Sequence, residues 1–466
     1  MTQLRSLTLG LLVAIATFIF LTPKALAFCG FYVAKADTSL YNQASQVAIA
    51  RSGDRTVLTM ANDYQGEVTD FAMVVPVPTV LQEGQVNVAE STIMQRLDDF
   101  SAPRLVEYFD PDPCAPEVFF DGRLRLGNVA PAPQVARSDR AEAELGVTVE
   151  AEFAVGEYDI VILSALESDG LETWLIQNDY NIPRGASELL QPYIRQGMKF
   201  FVAKVNLEEY EQSGFQKLRP LQIAYESPRF MLPIRLGMIN AQGEQDLVVY
   251  LLSPSGQVEL TNYRTVKIPS DVEIPVFVKD EFADFYTSMF DTSHRQANRE
   301  VAFLEYAWNM SGCDPCSANP LSPDELRQAG VFWVPPSGAF GNNRVIPWTN
   351  NTVFITRLHV RYGREHFPED LMFQTTNNQE FFQGRYVLRH PFNEVNGTTD
   401  CAAGEDYRRA LPQRFEAEAQ TLARLTGWDI NDIRQQLPTA GDIFEPTPWW
   451  EDLWGRSGQF LEELVS

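Results

Sequence analysis

The N-terminal segment constrains this chain more than any other feature, because it decides in which environment the rest must fold. A short polar stretch containing Arg5 is followed by an unbroken apolar run over residues 7–21 and by an Ala-Leu-Ala triplet ending at Ala27. This is the layout of a secretory signal peptide cleaved after Ala27. The apolar run is shorter than the roughly 20 residues of a membrane-spanning helix, and Pro23 follows it. We expect cleavage, with an uncleaved signal anchor as the alternative.

Export would place the mature chain, from Phe28 onward, in the periplasm or the extracellular space, with an internal membrane lumen as a further option. The sequence contains five cysteines, and exported proteins commonly use cysteines in disulfides. Because the number is odd, at least one thiol is free or pairs with another molecule. No later apolar stretch has spanning length, so no stable membrane span is expected after cleavage.

The charge balance disfavours some classes of partner. The chain has 37 Lys and Arg against 62 Asp and Glu, and loss of residues 1–27 removes two basic residues and no acidic one, so the formal net charge changes from −25 to −27. Nucleic acids and anionic lipids are poor partners for such a field. With 45% hydrophobic residues the chain can bury a sizeable core. The expected partner is a protein or a small ligand.

The N-terminal part, residues 28–126, is predicted to be a β-rich subdomain. Strand-like runs between residues 46 and 80 are separated by turn residues, which indicates a β-meander. The last run ends in Val-Pro-Val-Pro, and since proline lacks a backbone donor, this end must lie at an edge or leave the ladder. Helical spacing follows over residues 87–108, interrupted at Pro103, and residues 127–146 have the composition of a linker or exposed loop.

The central part, residues 147–280, is predicted to be a β-rich α+β core. Alternating apolar and polar residues over 147–155 indicate a strand with one buried face. Four further strands and one helix are expected: strands at 158–166, 198–205, 221–225 and 247–252, and a helix at 186–195. The run 247–252 is too continuously apolar for an exposed edge.

Residues 281–345 are predicted to form a helical segment. Helical spacing covers about 281–310. Ser322, with a proline in the following first turn and Glu325 three residues later, matches a capping box. A helix should therefore start there and run to Ala329.

Residues 346–437 are expected to contain a strand at 352–362 and helices at 413–437, and residues 438–466 form a tryptophan-rich tail. Together these segments predict an α+β fold with mixed, mainly antiparallel sheets, a helical insertion and C-terminal helices.

The motif Cys313-Asp314-Pro315-Cys316 has the spacing used by thiol-disulfide exchange proteins, in which the first sulfur lies at a helix N-terminus. Here the motif follows a predicted helix, precedes the next N-cap by six residues, and contains an aspartate that disfavours a thiolate. We interpret it as a structural disulfide at a corner between helices. Redox activity and half of a metal site are the alternatives; zinc would need two further ligands, and no second such pair exists in the sequence.

Cys29, Cys114 and Cys401 remain. Cys29 would lie at the mature N-terminus, which frays unless it is tied down. We hypothesise a disulfide between Cys29 and Cys114 that closes the first subdomain. The role of Cys401 stays open.

Three basic residues alternate with other residues on the predicted strand at 352–362, namely Arg357, His359 and Arg361. On a strand they share one face. In so acidic a chain they could bind an anion, the carboxylate or phosphate of a ligand. The alternative is pairing with glutamates on a neighbouring strand.

The tail carries Trp449, Trp450 and Trp454 beside prolines. Such aromatic clusters can dock on a partner or stack on sugars. The alternative is packing onto the protein's own surface.

Familiar enzyme signatures are missing from the sequence: a serine-hydrolase elbow, a zinc-protease helix, a phosphate-binding loop and a dinucleotide fingerprint. Four histidines leave little room for a histidine-based metal centre. We expect no cofactor and no metal. An enzyme whose site is built from scattered acidic and basic residues stays an alternative.

Taken in order, several landmarks resemble an exported bacterial family catalogued as domain of unknown function 2330. They are the Cys29-Gly30 start, Asp70-Phe71-Ala72 with Pro76-Val77-Pro78, the VGEYD sequence at 155–159, Trp174 with Tyr180 and Pro183, the CDPC motif with PLSPDEL at 320–326, and Thr356-Arg357-Leu358-His359. The resemblance spans residues 28–400 and implies export and a single large domain. It supplies no activity, substrate or catalytic residue.

These observations predict a non-enzymatic exported binding or assembly factor stabilised by disulfides. The alternative is a thiol-disulfide oxidoreductase that uses Cys313 and Cys316.

Overall fold

The computed structural model describes residues 31–34, 41–42, 45–61, 64–65, 71–115, 147–177, 186–213, 218–239, 243–313, 318–337, 352–392 and 401–438. The predicted signal peptide, the predicted linker at 127–146 and the three tail tryptophans lie outside these residues.

The strands in chain order are β1 (Phe31–Ala34), β2 (Tyr41–Asn42), β3 (Ser45–Ser52), β4 (Arg55–Ala61), β5 (Tyr64–Gln65), β6 (Phe71–Val77), β7 (Val86–Val88), β8 (Arg104–Phe109), β9 (Val147–Val155), β10 (Tyr158–Ala165), β11 (Lys199–Val205), β12 (Leu221–Glu226), β13 (Met231–Leu232), β14 (Gln245–Ser253), β15 (Val258–Leu260), β16 (Arg264–Lys267), β17 (Val272–Ile274), β18 (Val301–Asn309), β19 (Phe354–Tyr362), β20 (Leu371–Thr375), β21 (Phe382–Gln383) and β22 (Arg385–His390). The α-helices are α1 (Thr92–Ser101), α2 (Ser168–Gln177), α3 (Ala186–Arg195), α4 (Leu207–Ser213), α5 (Phe282–Gln296), α6 (Pro323–Gln328), α7 (Ala402–Thr426) and α8 (Ile430–Gln435).

These elements confirm the predicted α+β class with mainly antiparallel sheets. The chain forms two compact units, each built from three separate stretches. Unit 1 comprises Met1–Ala102, Ala143–Val266 and Ala297–Gln383, and unit 2 comprises Pro103–Glu142, Lys267–Gln296 and Gly384–Ser466.

Unit 1 contains two large sheets. The larger has the strand order β16-β18-β19-β14-β3-β4-β12-β7, with β21 paired to β18, and its β3–β14 pair is parallel. The smaller has the order β1-β6-β11-β10-β9 and is antiparallel throughout. A three-stranded sheet, β13-β20-β15, lies in the same unit.

The two large sheets pack face to face, with helices on their outer faces. One hydrophobic cluster joins Leu58 and Val249 of the larger sheet to Val75 and Phe201 of the smaller one. Helices α1 and α6 pack on the outer face of the larger sheet, and α2 and α3 pack on the outer face of the smaller sheet. Unit 1 is therefore a layered structure in which the central strands of both sheets are covered on both faces, whereas edge strands such as β9 and β16 are partly exposed.

The sequence of β14 explains its central position. Leu247, Val249 and Leu251 face the cluster between the sheets, whereas Val248 and Tyr250 face the helical layer. A strand covered on both faces is continuously apolar rather than alternating. This confirms that the 247–252 run is not an exposed edge.

Unit 2 is built around a parallel three-stranded sheet with the order β17-β22-β8. Helix α5 packs on it through aromatic contacts, with Phe285 edge-on to Tyr386 at a ring distance of 4.8 Å. Helix α7 ends at Gly427, whose φ of 76° lies in the left-handed region that favours glycine. Within the part of the chain that the structure describes, no helix is long and apolar enough to cross a membrane.

The prediction of a helical block over 281–310 was wrong in its second half. Helix α5 ends at Gln296, and Asn298 and Arg299 have φ of 59° and 60°. Two successive left-handed residues reverse the chain, and β18 follows as an inner strand of the larger sheet. Its apolar and aromatic sequence suits both a buried helix and a buried strand, and pairing with β19 decides the outcome.

The helix predicted over 87–108 is shorter than expected. Its predicted apolar face is present, since Ile93, Leu97 and Phe100 are buried. The helix ends before Pro103, as the proline required, but residues 104–109 then form β8, which pairs in parallel with β22. This partner is remote in sequence, so local spacing could not reveal it.

The predicted meander breaks after β4. β3 and β4 form a hairpin in the larger sheet, whereas β6 belongs to the smaller sheet, between β1 and β11. Among the described residues, β1 pairs with β6 only up to Val74, so Pro76 lies where β6 pairs on the β11 side. The prediction that the Pro76-Val77-Pro78 end leaves the ladder or lies at an edge stays a prediction, because the residues that precede β1 lie outside the described residues.

Candidate functional site

The three predicted basic residues lie on one face of β19. Arg357, His359 and Arg361 alternate along the strand with residues of the core between the sheets. Their side chains become more exposed along the strand, from 8% for Arg357 to 12% for His359 and 20% for Arg361. The row therefore runs from the core toward solvent.

Two carboxylates on the neighbouring strands pair with these cations. Glu305 on β18 accepts from Arg357 Nε at 2.6 Å and lies 2.8 Å from His359 Nδ1. Asp246 on β14 accepts from Arg361 Nε at 2.7 Å and lies 3.3 Å from His359 Nε2. Pairing with acidic residues on adjacent strands, the expected alternative to anion binding, is thus present, through one aspartate as well as one glutamate.

Glu305 reaches two cations because β18 bulges at this residue. Leu304 pairs with Leu358 and Tyr306 pairs with Arg357, which leaves Glu305 as the extra residue. A bulge redirects the side chain that it contains. The Glu305 side chain has 0% exposure, so its two cationic partners replace water.

A third carboxylate joins from α1. Asp98 accepts from Arg357 Nη1 at 2.6 Å and from the Tyr250 hydroxyl at 2.8 Å. Carboxylates and cations therefore alternate, three of each. We term these six residues the ionic row: Asp98, Arg357, Glu305, His359, Asp246 and Arg361.

The surroundings of the ionic row fix its protonation. Burial by itself would lower the pKa of His359, but the charges and hydrogen bonds of Glu305 and Asp246 outweigh burial and raise this pKa to about 9. Burial would likewise raise the pKa of Asp246, and the hydrogen bonds from His359 and Arg361 instead hold it well below its usual range. At neutral pH His359 is therefore a cation between two carboxylates.

This arrangement supports a structural role more than a ligand site. Each cation of the row already donates to a carboxylate, so an added anion would have to displace a buried partner, and leaving such a charge unpaired is costly. Anion binding by Arg357, His359 and Arg361 stays a prediction to which the geometry adds no support.

The cysteines correct one predicted pairing. Cys114, just after β8, forms a disulfide with Cys401, with an S–S distance of 2.05 Å and a sequence separation of 287. A cysteine forms one disulfide at a time, so the hypothesised pairing of Cys29 with Cys114 is wrong. Cys401 is the N-cap of α7, and its Sγ accepts from the Gly404 backbone at 3.3 Å.

The remaining predicted site residues are only partly described. Cys313 is also disulfide-bonded, and both remaining cysteines, Cys29 and Cys316, lie outside the described residues. Its predicted pairing with Cys316 stays a prediction, as does docking through Trp449, Trp450 and Trp454, which lie outside as well. Within the described ranges, no group of three or more His, Cys, Asp or Glu side chains is placed to hold a metal ion.

A cavity in unit 1 was not foreseen from the sequence. It has a volume of about 220 Å³ and lies between the end of β6 and the loop after β12. Four prolines line it, at positions 76, 78, 228 and 233, together with Leu58, Val77, Met198 and Met231. Tyr225 at the end of β12 also lines this space, which we term the Tyr225 cavity.

Tyr225 is the unusual polar group of the cavity. Its side chain is only 9% exposed, and its hydroxyl makes no hydrogen bond with any residue that the structure describes. Burial raises the pKa of Tyr225 to about 12, against the opposing charge of Arg51, so the hydroxyl keeps its proton at neutral pH. Tyr225 lines the cavity, and its hydroxyl is not enclosed by protein atoms, so water or a ligand in the cavity can bond to it.

Arg51 shapes the cavity wall. In the sheet Arg51 pairs with Thr56, which pairs with Tyr225, so the three side chains lie side by side on one face. The guanidinium donates to the Ser227 carbonyl at 2.9 Å and to Thr56 Oγ1 at 2.8 Å, and stacks on the Phe230 ring at 4.8 Å. Arg51 thus holds the loop after β12 in place.

A weak sequence signal pointed toward Tyr225. The predicted strand 221–225 alternates, which places Leu221, Ile223 and Tyr225 on its inward face. Alternation says which side chains are buried, but not whether a phenol finds a partner there. The Val-Pro-Val-Pro and Ser-Pro segments that complete the cavity come together only in the folded chain.

Comparison with known proteins gives one match. A family model described as an uncharacterized protein conserved in bacteria (DUF2330) matches residues 23–374. No curated protein and no solved structure matches the chain significantly. The matched residues contain the ionic row, the Tyr225 cavity and the CDPC motif.

Proposed function

We propose, from the premise that this chain belongs to the DUF2330 family of bacterial proteins, that it is an exported, non-enzymatic binding factor which holds a small ligand in the Tyr225 cavity. Export is supported by the signal-like residues 1–27 and by the disulfide between Cys114 and Cys401. The chain then works in the periplasm or the extracellular space.

The observation that carries the binding role is the hydroxyl of Tyr225. This hydroxyl has no partner among the residues that the structure describes, so without a ligand it depends on water in the cavity for its hydrogen bond. A ligand that accepts from this hydroxyl replaces that water and buries the apolar lining at the same time. Sites of this kind combine apolar walls with a few placed polar groups.

The experiment is native mass spectrometry of protein purified from the exported compartment, with a plugged variant. Thr79 lies half-buried in the lining, so Thr79→Trp fills the cavity without replacing a core side chain. Thr173 is exposed on α2, away from the cavity lining, and Thr173→Trp is the matched control. We expect a bound small molecule on the wild type and on Thr173→Trp, and none on Thr79→Trp.

Two results would speak against the proposal. One is a small molecule that Thr79→Trp carries as well as the wild type does. The other is the lack of any bound molecule on all three proteins together with the lack of any retained protein in a crosslinked pull-down. Equal unfolding midpoints of the two tryptophan variants would verify that the plug leaves the fold intact.

A further inference from the structure

We infer that the Tyr225 cavity takes a small amphiphile with a single negative charge, whose apolar part fills the cavity and whose anionic group lies at the rim beside Arg229. The inference rests on the proposed function, because it names a ligand class for the same cavity.

The walls select the apolar part of the ligand by size. An apolar cavity of about 150 Å³ is known to hold benzene, and the Tyr225 cavity measures about 220 Å³. It therefore holds one ring with a short substituent, or an alkyl chain of comparable volume. The four prolines of the lining offer no backbone N–H group, so these walls favour apolar contact.

The rim selects the charge of the polar group. Arg229 lies in an exposed position at the rim and donates to Gln196 Oε1 at 2.9 Å, and it has no carboxylate partner among the residues that the structure describes. The neighbouring Glu226 pairs with Arg55 at 2.9 Å, so its charge is compensated. The rim therefore carries one uncompensated positive charge, although the whole chain is strongly acidic.

Tyr225 and Arg229 agree in what they require of a ligand. Both can donate hydrogen bonds, but only Arg229 is restricted to donating, because a guanidinium has no acceptor whereas a phenolic oxygen also accepts. A carboxylate or another monoanion offers acceptors to both kinds of donor, whereas an ammonium group offers none. The charge and the donor-only chemistry of Arg229 thus select an anion and reject a cation.

The test uses three probes with the same eight-carbon chain and different head groups: octanoate, octanol and octylammonium. Binding to the full protein is measured by calorimetry. We expect octanoate to bind most tightly and octylammonium most weakly. The preference for octanoate over octanol should shrink between 20 mM and 500 mM salt, the conditions we would use, because charges at an exposed rim are screened.

Variants assign the selectivity to residues. Arg229→Gln should weaken octanoate about threefold, as for an exposed charge pair, and should leave octanol unchanged. Arg264→Gln removes an arginine at another exposed position of unit 1 and is the matched control. Tyr225→Phe, which keeps the cavity volume, should weaken both octanoate and octanol by about three- to tenfold.

The outcomes separate the ligand class from the proposed function. Octylammonium binding as tightly as octanoate, or an unchanged octanoate affinity in Arg229→Gln, would overturn the anionic class. Octanol binding that Thr79→Trp abolishes would still support a ligand cavity in that case. Failure of all three probes to bind, or equal binding to Thr79→Trp, would remove both proposals.

Discussion

At the scale of single residues, hydrogen-bond satisfaction separates structural polar groups from a candidate binding group. The sequence revealed that the basic residues Arg357 and His359 alternate with uncharged residues and therefore share one face of a strand. The sequence could not predict their carboxylate partners, because Glu305 is positioned by a bulge in β18 and Asp98 lies on a helix that is distant in sequence. Tyr225 carried no sequence signal of function, yet its hydroxyl is the one whose chemistry points to a ligand.

The contrast between two buried tyrosines gives a stability prediction. The Tyr193 hydroxyl donates to Asp370 Oδ1 at 2.6 Å, so Tyr193→Phe should lower the free energy of unfolding by about 1.5–3 kcal/mol, as for a hydrogen bond to a charged group. Tyr225→Phe removes a hydroxyl without a described partner and should change the free energy by less than about 0.5 kcal/mol. Urea denaturation of both variants and the wild type measures the difference. Equal losses would show that the Tyr225 hydroxyl has a protein partner.

His359 predicts a loss of stability at alkaline pH. Its folded pKa of about 9 lies above the ordinary value of 6.5, so the stabilisation is fully present below pH 6.5 and is lost as the pH rises through 9. The shift corresponds to about 3 kcal/mol, as an order of magnitude. Urea denaturation at pH 6.5, 8 and 9.5 should show this decline in the wild type and a smaller one in His359→Gln.

The comparison with His359→Gln removes the effect of other titrating groups. Burial raises the pKa of Glu418 to about 7 from 4.5, so its stabilisation also declines with rising pH, between 4.5 and 7. That decline is the same in both proteins and cancels in their difference. An unchanged pH profile in His359→Gln would mean that the ionic row does not hold the imidazole charged.

At the scale of elements, local sequence patterns predicted where a helix starts and which of its faces is buried better than they predicted whether a segment is a helix or a strand. The capping box at Ser322 is confirmed, since Ser322 Oγ accepts from the Glu325 backbone at 3.2 Å and Glu325 accepts in return at 2.7 Å. The helix at 186–195 is confirmed within the bounds predicted. β8 and β18 were missed because their pairing partners, β22 and β19, come much later in the chain.

The start of α7 allows the cap and the disulfide to be separated. Cys401→Ser and Cys114→Ser both remove the disulfide, and serine at position 401 still accepts at the N-cap. Each should lower the free energy of unfolding by about 2–4 kcal/mol. Cys401→Ala removes the cap as well and should cost about 1 kcal/mol more.

Chemical denaturation of the three variants, with the reduced wild type as reference, measures these differences. The reduced wild type should be no more stable than Cys114→Ser, because reduction also breaks the disulfide of Cys313. A wild type that is unaffected by reduction, with all three variants equal to it, would contradict a stabilising role for the bond.

At the scale of the whole molecule, the assembly of each unit from three separate stretches lies beyond sequence patterns. Periodicity reports on about ten neighbouring residues, whereas the disulfide joins residues 287 apart. The hypothesis for Cys29 followed from its expected terminal position, and it failed because Cys114 lies after β8, in the same unit as Cys401. The α+β class was predictable, since it depends on the local elements alone.

Processing and thiol content test the export proposal on the intact protein. Residues 1–27 have the layout of a cleaved signal, so N-terminal sequencing of protein from the exported compartment should begin at Phe28. Cys114, Cys401 and Cys313 are disulfide-bonded, and five cysteines then leave one free. Alkylation under denaturing conditions should therefore label one thiol per chain.

The N-terminal sequence and the number of labelled thiols must be interpreted together. A chain that starts at Met1 with five labelled thiols would place the protein in a reducing compartment, where the bond between Cys114 and Cys401 does not persist. Cleavage with three or more labelled thiols would leave export intact and remove the second disulfide. Peptide mapping of the oxidised protein then identifies the partner of Cys313. A bond to Cys316 rather than to Cys29 would make the CDPC motif a structural disulfide. Cys29 would then be the free thiol.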